Sequence, residues 1–133
     1  MKEVKIIDIP DILDTRGNLA VVEECREIPF QIKRVFWIYG VNPGETRASH
    51  AHKELYQCLV AVSGSLKVWI DNGYEKEEIL LDSPSKGLLI PPMVWITLKD
   101  FTPDAVCLVM APSEYDPKEY IKNYQEFIDK LCS

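Results

Sequence analysis

Residues 44–64, GETRASHAHKELYQCLVAVSG, hold both histidines of the chain, His50 and His52, with only Ala51 between them. On a strand, side chains two residues apart point to the same face, so the two imidazoles project together. Arg47 lies just upstream, Lys53 follows directly, and the apolar run from Cys58 to Val62 leads into Gly64. A paired-histidine face beside an arginine is a candidate site. It could hold a metal, move a proton, or do neither.

Outward from this stretch the chain reads as short β-patterned runs broken by turn residues. Residues 4–9 precede Pro10, Asp14-Thr15-Arg16-Gly17-Asn18 is a turn cluster, and residues 19–24 read as a second strand. Residues 32–39 contain VFWIY, and Asn42-Pro43-Gly44 turns the chain into the histidine strand, with residues 56–63 following. Residues 65–70 and 74–81 flank Asp71-Asn72-Gly73, and Asn-Gly between β-patterned runs predicts a hairpin with a type I′ turn. Residues 88–90, 94–98 and 105–111 supply the remaining strands. From Asp116 the period changes: Tyr120, Ile121, Tyr124, Phe127, Ile128 and Leu131 recur at helical spacing. Asp116 as cap, Pro117 in the first helical position and Glu119 three residues after the cap predict one C-terminal helix from there. Short strands at such intervals with a terminal helix indicate a β-sandwich or barrel.

The totals bound the function. A chain of 133 residues reads as one domain, 1–133, and its 47% hydrophobic and 27% charged residues are ordinary for a soluble globular protein. A net charge of -6 argues against a nucleic-acid or anionic-membrane binder, though a few local arginines can still hold a small anion. No apolar run approaches the ~20 residues that span a bilayer. The acidic residues in MKEVKIIDIP are unlike a signal peptide, so a cytoplasmic location is expected. Cys25, Cys58, Cys107 and Cys132 are scattered without a CxxC pair, which predicts free thiols rather than a disulfide framework or zinc knuckle.

The spacing of Gly44, His50-Ala51-His52, Gln57 and Gly64 resembles the first motif of the cupin superfamily. In metal-binding cupins the two histidines and a following glutamate are ligands, and a further histidine comes from a second motif. Here Gln57 stands at the glutamate position, Ile96 stands where the last histidine would fall, and the chain has no third histidine. A neutral amide oxygen is a weak substitute for a carboxylate, so a metal site is disfavoured unless a remote Asp or Glu completes it. Unligated imidazoles, with an ordinary pKa of about 6.5, suit proton transfer.

Over nearly its whole length the chain resembles the sugar 3,4-ketoisomerase family of WxcM-like cupins. The carrying segments are DTRGNLAVVEE, IPFQIKRVFWIYGV, ETRASHAHKELYQ, LDSPSKGLLIPPMVW, DFTPDAVCLVMAP and YDPKEYIKNYQEF. The resemblance implies an all-β fold, an RmlC-like jelly-roll cupin β-barrel with a short C-terminal helix. It implies a homodimer with exchanged N-terminal strands, and a dTDP-linked 4-keto-6-deoxy sugar as substrate. His50 and His52 match the family's catalytic pair. Two departures are Ala48, where the family often has Gly, and Ile96, where it often has His after the tryptophan.

Moving a ketone from C4 to C3 requires a base near C3, an enediol and reprotonation at C4. It requires no cofactor, and no nucleotide-fold glycine motif is present. The catalytic set expected is one histidine of the pair as base, His50 ahead of His52, with the other as its relay partner and the order of the two left open, and Tyr39 and Arg47 beside the reacting oxygens. Arg16, Gly17, Arg34, Arg47, Lys53, Gln57 and Trp95 form the expected substrate-binding set, the cations suiting a diphosphate. Arg16-Gly17 resembles the family members that make the galacto-configured product. The rival readings are a dTDP-sugar 3,5-epimerase and a non-catalytic sugar-nucleotide-binding cupin.

Overall fold

The computed structural model describes residues 1–133. Its strands, in chain order, are β1 (Lys5–Asp8), β2 (Asp11–Asp14), β3 (Gly17–Ala20), β4 (Arg34–Tyr39), β5 (Arg47–His52) and β6 (Gln57–Ser63). They continue with β7 (Leu66–Asp71), β8 (Lys76–Leu81), β9 (Lys86–Ile90), β10 (Trp95–Lys99), β11 (Val106–Ala111) and β12 (Tyr120–Ile121), before helix α1 (Tyr124–Leu131). One five-stranded sheet runs β1-β9-β6-β11-β4 and a second runs β12-β5-β10-β7-β8, while β2 and β3 pair only with each other. From β4 onward the chain passes repeatedly between the two sheets, which gives a jelly roll of antiparallel ladders. The expected barrel is not closed by hydrogen bonds: no ladder joins the two sheets, and packing holds them together.

That packing follows from period-two alternation. Leu59, Ala61, Leu88, Ile90, Cys107 and Val109 of the first sheet meet Val68, Ile70, Ile96 and Leu98 of the second in one buried cluster. Fully burying such an aliphatic side chain is worth about 1.5–3 kcal/mol relative to exposure. The opposite face of β6 is buried as well, with Cys58, Val60 and the neighbouring Met110 of β11 packed against Ile9, Ile28 and Phe30. A third cluster, Ala51, Trp95, Ile121 and Phe127, lies under α1. All four cysteines are free.

Three local expectations are corrected. The C-terminal segment is not one helix from Asp116. Asp116 caps only a 3-10 turn, Pro117–Glu119, and Tyr120–Ile121 then pairs with His52 and Ala51 of β5. The α-helix starts after Asn123, whose side chain accepts from the Glu126 N–H. The Asn72-Gly73 hairpin is not a two-residue type I′ turn. Asp71 pairs with Lys76, so four residues make the loop, and Asn72 Oδ1 accepts the N–H groups of Tyr74 and Glu75. The second strand, read over 19–24, lies earlier: β3 ends at Ala20 and closes a hairpin with β2 around Thr15-Arg16.

Candidate active site

A β-bulge aims the first histidine. On β10 the neighbours Ile96 and Thr97 face His50 and Ala48, which leaves Ser49 as an extra residue on β5. Ala48 and Ser49 take the left-handed region at φ 69 and 55, uncommon for residues with a Cβ. Beyond the bulge His50 and His52 share a face, their rings 5.2 Å apart and nearly perpendicular. β12 lays Tyr120 across both, with ring centroids 4.9 Å from His50 and 4.5 Å from His52.

His50 opens into a cavity of about 310 Å³ between the sheets, whose wall includes Arg47, Gln57, Tyr115, Tyr120 and Lys122 among apolar side chains such as Phe36, Leu59 and Ile96. His52 lies behind this wall, 4% exposed. Its Nδ1 is 3.7 Å from Oε2 of Glu119, a carboxylate held by the N–H groups of Glu54 and Leu55 at 2.8 and 2.9 Å. Burial pushes His50 down to about 4; neighbouring His52 and Lys122 push the same way, against a backbone contact with Ala48. Burial likewise pushes His52 down to about 4, aided by Arg34 and opposed by Gln57. Both imidazoles are therefore neutral near pH 7, the form that accepts a proton.

Hydrogen-bonding groups without protein partners gather here: Arg34 Nε, His50 Nε2, both ring nitrogens of His52 and Gln57 Nε2. Buried polar atoms are seldom left unpaired; His50 Nε2 and Gln57 Nε2 belong to residues that line the cavity, and this suits a polar ligand there. No group of three or more His, Cys, Asp or Glu side chains is placed to hold a metal ion.

The structure gathers part of the expected set. Arg47 and Gln57 line the cavity with His50. Arg34 reaches the site through Tyr120, its Nη2 donating to the phenol oxygen at 3.1 Å, with its guanidinium over Phe36 and Tyr115 at 5.2 and 5.6 Å. Tyr39 does not line the cavity; it is 69% exposed at the end of β4, in a shallow outer hollow shared with Arg47. Lys53 is off the wall too, its N–H donated to the Glu119 carbonyl. Trp95 is buried under α1, 5.3 Å from the Tyr124 ring and 5.8 Å from Phe127, where it packs the helix. Arg16 lies on the exposed β2–β3 turn, forked onto Asp14 at 3.0 and 2.8 Å, and Gly17 opens β3 beside it.

Sequence reasoning missed Tyr115, Glu119, Tyr120 and Lys122. In the sequence alone Tyr120 falls on the helical stripe. The usable signal was a second cap, Asn123 with Glu126 three residues on, which restarts the helix and frees Tyr120 to be a strand residue.

The family model described as FdtA, WxcM-like, C-terminal, matches residues 2–131. A TDP-4-oxo-6-deoxy-alpha-D-glucose-3,4-oxoisomerase of Aneurinibacillus thermoaerophilus is 45% identical over 94% of this chain and 90% of its own length. A histidine-to-asparagine variant of the 3,4-ketoisomerase QdtA from Thermoanaerobacterium thermosaccharolyticum, in complex with TDP-4-keto-6-deoxyglucose, superposes with a TM-score of 0.96. It is 41% identical, and the match covers 98% of this chain and 94% of that one. The RmlC 3,5-epimerase of Legionella pneumophila, at 14% identity, 91% of this chain, 72% of that one and a TM-score of 0.77, shares the fold.

Proposed function

This chain belongs to the FdtA family of WxcM-like sugar 3,4-ketoisomerases, and on that premise we propose that His50 is the base moving the ketone of dTDP-4-keto-6-deoxy-D-glucose from C4 to C3. The observation that carries this reading is the unequal placement of the histidines. His50 faces the cavity, whereas His52 is buried behind it between Tyr120 and the Glu119 carboxylate. Neutral His50 takes the C3 proton, an enediol forms, and the proton returns at C4. His52 is its partner in the proton relay, with the Glu119 carboxylate 3.7 Å from the His52 Nδ1 as the anion behind it. Gln57 offers an amide to the sugar oxygens.

Arg47 and Lys122 supply the cationic rim for the diphosphate. The Arg16-Gly17 pair carries the expectation of a galacto-configured product, a precursor of amino-deoxy sugars for surface glycans. The 133 residues act as one cupin domain within a homodimer whose N-terminal strands are exchanged. The β2–β3 hairpin supports that arrangement: none of its strand residues is buried, it joins neither sheet, and an isolated hairpin is marginally stable in water.

The test is incubation of the chelator-treated protein with the 4-keto sugar in D₂O, followed by NMR of the product. A ketone moved to C3 is expected; an inverted C5 would make it a 3,5-epimerase, and unchanged substrate a binding protein. His50→Asn should lower turnover at least about 100-fold, the usual worth of a general base, while TDP still binds. An undiminished rate overturns the assignment.

A further inference from the structure

Ketone migration moves two protons, one between carbons and one between oxygens, and His50 accounts only for the first. Building on His50 as the base, we propose that Tyr120 is a second catalytic residue, whose phenol carries the proton between O4 and O3 with Arg34 holding the phenolate. Tyr120 lines the same cavity as His50, and its ring sits 4.9 Å from that imidazole. The β12–β5 ladder fixes it there, with Tyr120 opposite His52 and Ile121 opposite Ala51. Arg34 Nη2 donates to the phenol oxygen at 3.1 Å, so the oxygen accepts and its own O–H is committed to no protein acceptor. Tyr39, exposed outside the cavity, has none of these features.

The steps balance. His50 takes the proton from C3, the C–H electron pair becomes the C3–C4 double bond, and the carbonyl pair moves onto O4. O4 takes the proton of Tyr120, leaving a phenolate opposite the Arg34 guanidinium, a charge-assisted contact that strengthens as the negative charge forms. The enediol then returns its O3 proton to Tyr120, the O3 electron pair forms the new carbonyl, and C4 takes the proton held on His50. Phenol and imidazole end as they began, with no oxidant or reductant involved.

Tyr120→Phe keeps the ring against both imidazoles and removes only the hydroxyl. Its kcat is expected to fall about 100-fold, within the range for a positioned acid–base group, with TDP affinity by calorimetry and melting temperature unchanged. Arg34→Met should also lower kcat without weakening TDP binding. The double variant should be no slower than Tyr120→Phe alone, because Arg34 acts through the hydroxyl. Full activity in Tyr120→Phe overturns the inference, as do multiplying effects of the two changes. Weakened TDP binding in Arg34→Met does the same, since it makes Arg34 a phosphate ligand. A wild-type protein that moves no ketone removes the base assignment and this inference together, whereas an active wild type with an equally active Tyr120→Phe removes this inference alone.

Discussion

At the scale of the residue, His50 differs from an imidazole in water by its surroundings. Held down to about 4 by burial first and by His52 second, it keeps its base form through mildly acidic pH. An imidazole of ordinary pKa, about 6.5, would lose about 30-fold of its neutral form by pH 5. The acid limb of kcat/KM is therefore expected near pH 4, with less than about a twofold loss at pH 5; a midpoint near 6.5 would place the base in a hydrated environment. The same shift couples folding to pH. The folded pKa values lie below the unfolded ones, so the unfolded chain takes up protons first. The stability is intact above about pH 6.5 and declines as pH falls towards 4, by an amount on the order of 3 kcal/mol per histidine. The histidine pair was legible in the sequence because the two-residue spacing fixes a shared face. Which of the two meets the cavity was not. That depends on the Ser49 bulge and on the cover provided by a segment roughly seventy residues away, a pairing that periodicity does not encode.

At the scale of the element, the C-terminal segment joins the site to the rest of the fold. β12 carries Glu119 beside it and Tyr120 within it, and α1 clamps it down by burying Phe127 against Trp95 and Ile121. α1 is fastened in turn to the β7–β8 hairpin. The buried Asp71 accepts the Tyr124 hydroxyl at 2.5 Å and the Gly73 N–H at 2.7 Å. Removing the hydroxyl leaves the carboxylate with one partner fewer, and hydrogen bonds to charged groups are worth about 1.5–3 kcal/mol. Tyr124→Phe should lower unfolding free energy in urea by about that amount while kcat at 25 °C stays within twofold. A change in kcat without a loss of stability would mean that α1 acts on the chemistry directly. The helix itself was legible from its apolar stripe. Its start was not, because Asp116 and Asn123 both offer caps, and β5 provides an unpaired edge that captures Tyr120 and Ile121 between the capped turns.

At the scale of the whole molecule, the jelly roll leaves one part without a place. The β2–β3 hairpin exposes Ile12, Leu13 and Leu19 at 58%, 73% and 55%, and the outer face of β4 exposes Val35, Trp37 and Tyr39. Apolar surface of this kind calls for cover, and a second copy of the chain brings the same surfaces in matching number. Arg16 at the hairpin tip lines no part of its own chain's cavity, so if it serves substrate it serves the partner's. Composition and turn signals made the hairpin residues readable as a turn, but a contact between two copies leaves no periodic trace within one. Complementation tests the arrangement. Arg16→Ala and His50→Asn should each impair the enzyme, and co-expression of the two under separate tags should give a mixed dimer that recovers activity. In that dimer the Arg16→Ala subunit keeps a working His50 and receives Arg16 from its partner, so one site of the pair is whole. Were each cavity completed by its own hairpin, both sites of the mixed dimer would carry a lesion and no activity would return. Recovery to about half the wild-type rate per dimer thus distinguishes exchanged hairpins from a dimer that merely touches.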